Sequence, residues 1–212
     1  MAGVAPTFLN HFFYEFVTLF VILDPVATIP IYLSVTAGLD RRTALRVAFY
    51  ALGVSFLILL FFIVVGQSLL SALHIPMSSF QMAGSLVLLL FGLKMVLGKV
   101  TEEAMSLPHD ATPLQRAIFP LAVPGIAGAG AILTVVLLTD NKVRTLAEQA
   151  ATTAILVVCL AIFFVIYAAA GAVFRLLGKP GVEIVSRVFG LILSSIAVTG
   201  LIVAIKLSFG LT

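Results

Sequence analysis

Six runs of apolar residues, 8–37, 44–66, 76–98, 116–139, 152–177 and 184–208, divide this chain, with Gly, Pro and charge collected between them. Each exceeds the roughly 20 residues with which an α-helix crosses a hydrocarbon core about 30 Å thick. Charged residues make up 10% of the chain, against about 25% in an ordinary soluble domain. Residues 1–212 therefore read as one all-α integral membrane domain of six transmembrane segments, with the lipid bilayer as its first partner.

The first run is too long for a single straight crossing and carries Asp24, Pro25 and Pro30 in its interior. A charged side chain in hydrocarbon costs at least about 2.5 kcal/mol by insertion scales and normally faces a cavity or a partner. Proline removes an amide donor and clashes with the preceding turn, so it breaks the helix. Broken backbone at membrane depth survives only against protein or water. The fourth run has a second interruption of this kind, with Pro120, Pro124, Gly125, Gly128 and Gly130. Spans 1 and 4 are predicted to be discontinuous, and the other four to be continuous.

Nine of the twelve cations collect around the C-terminal ends of spans 1, 3 and 5 and the segments that follow, namely Arg41, Arg42, Arg46, Lys94, Lys99, Arg116, Arg175, Lys179 and Arg187. Lys142, Arg144 and Lys206 are the other three. The positive-inside rule then places both termini on the non-cytoplasmic side. The same arrangement accounts for the net charge of +3 without a nucleic-acid partner. Trp is absent, so Tyr14, Tyr32, Tyr50 and Tyr167 are expected to anchor the interfaces. Residues 1–14 hold no Lys or Arg, so the first span is expected to stay in the mature protein rather than act as a cleaved signal.

Enzymatic motifs are missing. The sequence has no His-Glu-x-x-His, no Gly-x-Ser-x-Gly and no P-loop, so neither an intramembrane enzyme nor an ATP-driven pump is expected. Cys159 stands alone, and His11, His74, His109 and Glu15 are too scattered to form a ligand set. No catalytic residue, metal or cofactor is assigned.

The two halves correspond weakly. Asp24-Pro25 matches Val123-Pro124, and Met82-Ala83-Gly84 matches Val188-Phe189-Gly190. Repeat 1 covers 8–98, a linker covers 99–115, and repeat 2 covers 116–208. Three spans per half force the second copy to enter upside down, which gives inverted repeats. Transporters built this way bind their substrate near the midplane at paired discontinuous helices.

Four segments, LDPVATIPIYLSVTAG (23–38), FQMAGSLVLLLFGLKMVLG (80–98), FPLAVPGIAGAGAI (119–132) and GVEIVSRVFGLILSSIAVTG (181–200), are similar in order and spacing to the MarC family of inner-membrane proteins. That family includes the SnatA small neutral amino-acid transporters and is distantly similar to LysE-type exporters. The resemblance implies a six-helix inner-membrane transporter of alanine, glycine or serine, with its site at the breaks in spans 1 and 4. Two departures stand out: Ala27-Thr28 replaces the family's Gly-Asn, and Ala127-Gly128-Ala129-Gly130 replaces Ala-Gly-Pro-Gly.

The expected substrate-binding set is Asp24, Pro25, Ala27, Thr28, Pro124, Gly125, Gly128 and Gly130. Asp24 is read as an ammonium partner or proton carrier, or as the N-cap of a helix starting at Pro25. Thr28 and the backbone near it would meet a carboxylate at a half-helix N-terminus. The glycines either line the pocket or let helices approach closely. Gln81 and Arg187 are coupling or gate candidates, and the Glu183–Arg187 spacing also suits an intrahelical ion pair. The leading function is proton-linked or exchanging transport of small neutral amino acids by alternating access. The alternatives are a non-transporting scaffold or stress-linked protein, and an exporter of other small solutes.

Overall fold

A computed structural model describes residues 8–98, 111–141 and 143–210, except for the side chains of residues 8–11, 26, 27, 177, 179 and 182. The described residues are helical and contain no strand. The helices are α1 (Phe8–Leu23), α2 (Pro25–Val35), α3 (Arg41–Ala72), α4 (Met77–Val96), α5 (Pro113–Ile126), α6 (Ala129–Leu138), α7 (Leu146–Leu176) and α8 (Glu183–Phe209). Four of them, α3, α4, α7 and α8, are each long and apolar enough to cross a membrane. The bent pairs α1–α2 and α5–α6, at 49° and 59°, bring the number of spans to six. The expected linker, 99–115, lies largely outside the described residues.

Local chemistry sets the boundaries. Asp40 accepts from the amides of Arg42 at 3.1 Å and Thr43 at 3.2 Å, so α3 begins earlier than hydropathy alone suggests. It also runs on past Gly66, giving 32 residues, about 48 Å at 1.5 Å per residue, which exceeds a 30 Å core. Thr112 with Gln115, and Thr145 with Glu148, form reciprocal capping boxes that start α5 and α7. Gly178 adopts φ 65°, which a side chain disfavours, and separates α7 from α8.

Two cores result. The larger draws on α1, α2, α3, α5, α6 and α7, and includes Leu19, Val35, Leu59, Leu121, Ile126, Leu156 and Phe163. The smaller, Leu88, Met95, Leu193 and Ala197, lies between α4 and α8. These two helices run antiparallel along a seam of small residues. A methyl added to Gly92 would lie 2.5 Å from Ser194 Oγ and 2.9 Å from the Gly190 carbonyl, and one on Gly190 would lie 2.6 Å from Met95 Cβ. Such contact lets backbones approach in lipid, where no hydrophobic force between helices exists. The outer surface is strongly apolar, with Phe13, Phe49, Leu57, Val64, Val165 and Leu191 all exposed, as a lipid-facing surface requires.

Candidate functional site

Asp24 is the single residue between α1 and α2. Its amide donates to the Phe20 carbonyl at 3.2 Å, which continues α1, and its own carbonyl accepts from the Thr28 amide at 3.4 Å, which begins α2. Its φ is 51°, the left-handed conformation in which helices terminate, whereas an ordinary N-cap is extended. Asp24 thus closes one half-helix as it opens the next. It is 2% exposed, and Thr28 is 1% exposed. The Thr28 hydroxyl donates back to the carbonyls of Pro25 at 3.0 Å and Asp24 at 3.2 Å, which leaves its lone pairs as acceptors.

The second break follows from its prolines. A residue preceding Pro is driven out of the helical region. Phe119 (φ −127°, ψ 131°) and Val123 (φ −130°, ψ 123°), before Pro120 and Pro124, are both extended within α5. The chain folds back on itself there, so that a methyl on Gly128 would lie 2.6 Å from the Pro124 carbonyl. Gly130 is needed for another reason, because Leu88 of α4 seats directly on it.

The two breaks meet. A methyl on Gly125 would lie 3.8 Å from Thr28 Cγ2 and 3.9 Å from Ile31 Cδ1. Arg116, at the start of the broken fourth span, donates to the Val35 carbonyl at 2.9 Å and thereby caps the C-terminus of α2. Pro124, Gly125, Gly128 and Gly130 line a cavity of about 80 Å³ together with Ile22 and Phe91. Asp24 and Thr28 are not on its wall. Pro25 is buried beside Asp24, and the Ala27 side chain lies outside the described ones.

A larger cavity of about 420 Å³ opens at the end of the bundle where α2 and α7 finish, lined by Thr36, Arg41, Arg175, Gly171, Tyr32 and Tyr167 among others. It falls within the roughly 300–1,000 Å³ of ordinary ligand sites, which the glycine-lined cavity does not. Tyr32 and Tyr167 stack at its inner limit, with ring centroids 4.6 Å apart and planes at 12°. They are buried rather than interfacial, whereas Tyr14 and Tyr50 are exposed. The Tyr167 hydroxyl lies beside Thr28 and within the field of Asp24, yet completes no hydrogen bond among the described residues.

Gln81 and Arg187 are not brought to the breaks. Gln81 donates to the Gly200 carbonyl at 3.4 Å and ties α4 to α8. Arg187 is exposed, with its guanidinium near Gly98 beyond the end of α4. Two functional candidates escaped the sequence reading. One is the Tyr32–Tyr167 pair, separated by 135 positions. The other is Glu15, 3% exposed in α1, which pairs with Arg144 at 3.3 Å and accepts from Thr152 Oγ1 at 2.8 Å. The signal for Glu15 was available, as an acid inside an apolar span. Among the described residues no three His, Cys, Asp or Glu gather into a group that could hold a metal ion.

Comparison with known proteins decides the family, because residues 9–209 match the MarC family integral membrane protein profile. The chain belongs to the MarC family. Its relatives include a UPF0056 membrane protein of Archaeoglobus fulgidus, 31% identical over 90% of each chain. Another is a UPF0056 membrane protein of Aquifex aeolicus, 29% identical over 90% of each. A third is the UPF0056 inner membrane protein YhgN of Escherichia coli K12, 28% identical over 89% of this chain and 93% of the relative. No solved structure matches the chain. As a MarC member it is an integral, multi-pass membrane protein.

Proposed function

We propose that the protein is a secondary transporter of small neutral amino acids such as alanine, glycine and serine, working by alternating access in the inner membrane. The observation that carries this reading is the buried polar cluster of Asp24, Thr28 and the Tyr167 hydroxyl, set where two interrupted spans touch. An ionisable residue inside a membrane span normally marks a substrate or ion pathway. A zwitterion supplies both complements: its ammonium suits Asp24, and its carboxylate suits the Tyr167 hydroxyl and the α2 backbone. Gly125 beside Thr28 leaves room for a small side chain only.

The order of a broken span followed by two continuous ones occurs twice, in α1–α4 and in α5–α8. With three spans in each copy, the copies enter the membrane oppositely, and rocking of one against the other exposes the break to either side. The positive-inside rule puts the Arg41 and Arg175 cavity on the cytoplasmic side and both termini outside. Asp24 is assigned the coupling proton.

The deciding experiment uses proteoliposomes with labelled glycine, alanine and serine, with and without a pH gradient. The wild type should accumulate at least one of them in response to the gradient, and Asp24→Asn should abolish that response. Absence of flux for all three would refute the transporter reading. Gradient-driven flux in Asp24→Asn would remove the proton from Asp24.

A further inference from the structure

The end of the bundle opposite the large cavity carries an ion pair. There Glu15 of α1, the N-terminal half of the first broken span, meets Arg144 at 3.3 Å and Thr152 of α7 at 2.8 Å. Arg144 sits in the short loop after α6, the C-terminal half of the second broken span. Its guanidinium also lies 3.5 Å from the more exposed Glu148. The contact therefore joins the middle of α1 to the loop that follows the second broken span, about 13 Å along α1 from Asp24 at 1.5 Å per residue.

An ion pair is a poor choice for a permanent seal. Desolvating both charges offsets much of their attraction, and apolar side chains of similar volume close a gap equally well or better. Separation into water restores the hydration of both ions, so paired and parted states lie close in free energy, which an apolar plug cannot match. Glu148 gives the guanidinium a second partner when it leaves Glu15. We propose that Glu15, Arg144 and Thr152 form the gate that closes the pathway at the Arg144 end while the Tyr32–Tyr167 cavity stands open at the other. The proposal rests on the alternating-access reading, but its test does not require transport.

The chain carries its own reporter. Cys159 is its only cysteine, fully buried in the larger apolar core, and lies seven residues after Thr152 on the same face of α7, about 10 Å further along the helix. The experiment measures the rate at which a membrane-impermeant trimethylammonium methanethiosulfonate modifies Cys159 in spheroplasts and in inverted vesicles. A Val143→Cys, Cys159→Ser variant, labelled at the exposed position 143, marks the preparation that presents the Arg144 end. In that preparation Glu15→Gln and Arg144→Gln should each label about tenfold faster than wild type or more, as a shift of roughly 1.4 kcal/mol in the opening equilibrium gives. Thr152→Val should rise less, and the exchanged pair Glu15→Arg with Arg144→Glu should return toward the wild-type rate. Unchanged rates in both single variants, or equal rises from both sides of the membrane, would overturn the gate. Should Glu15→Gln or Arg144→Gln fail to reach the membrane, Thr152→Val and the exchanged pair decide by the same rates. If labelling follows this pattern but no flux of any amino acid is found, the gate stands and the substrate assignment falls.

Discussion

Replacing Tyr167 with Phe separates a hydroxyl kept for a guest from one kept for the fold. Phe preserves the ring, and with it the 4.6 Å stack on Tyr32 and the edge contact with Phe163 at 6.1 Å. What disappears is a buried oxygen that completes no hydrogen bond among the described residues. A buried polar group left unsatisfied costs about 1–3 kcal/mol. Tyr167→Phe should therefore stabilise the empty protein. At about 2–4 °C per kcal/mol for a chain of this size, its melting temperature in detergent should rise by several degrees. Transport should suffer in the opposite sense. If the hydroxyl donates to the substrate carboxylate, the lost bond is worth roughly 0.5–1.5 kcal/mol, or about 2- to 10-fold in apparent affinity. The assay pairs a thermal-stability measurement in detergent with concentration-dependent alanine uptake by proteoliposomes. A lower melting temperature with unchanged KM would refute the reasoning, because the hydroxyl would then belong to the fold.

Two further predictions concern the scaffold. Gly190→Leu should separate α4 from α8, since even a methyl there meets Met95 Cβ at 2.6 Å and the Gly92 carbonyl at 2.8 Å. Overpacking of this kind costs about 1–3 kcal/mol or more, and is read as a lowered melting temperature in detergent, whereas Gly171→Ala, in a helix interior with open space around it, should leave the melting temperature unchanged or raise it slightly. The Asp40 carboxyl is held below its usual pKa first by the Thr43 side chain and then by the Thr43 and Arg42 amides. Its stabilisation of the α3 start is thus complete above the unfolded carboxyl value and is lost as pH falls through the lower folded one. Protection of the Arg42 and Thr43 amides, taken relative to the intrinsic exchange rate at each pH, should fall across that acid range in the wild type, be low at every pH in Asp40→Ala, and lose this pH dependence in Asp40→Asn.

The spans were legible because hydrocarbon imposes a length and a composition on any helix crossing it, and the breaks because Pro120 and Pro124 each force the preceding residue to be extended. Capping was less visible. Asp40 lengthened α3 through a side chain that hydropathy counts only as polar, and Arg116, one of the cations used to orient the chain, caps α2 through the Val35 carbonyl. The tyrosines show the limit most clearly: an amphipathic ring suits an interface or a buried stack equally well, and only tertiary structure brings positions 32 and 167 together. Glu15 is an acid in an apolar span just as Asp24 is, but without a neighbouring proline it leaves the helix unbroken.

Leu88 of α4 rests on Gly130 of α6, and Leu133 of α6 rests on Gly84 of α4. Each helix thus offers one bump and one dimple to the other, and the two matches sit at different heights. A pair so notched resists gradual sliding, because shifting either leucine off its glycine unseats the other as well. Travel of α4 against α6 would therefore have to unseat both contacts together.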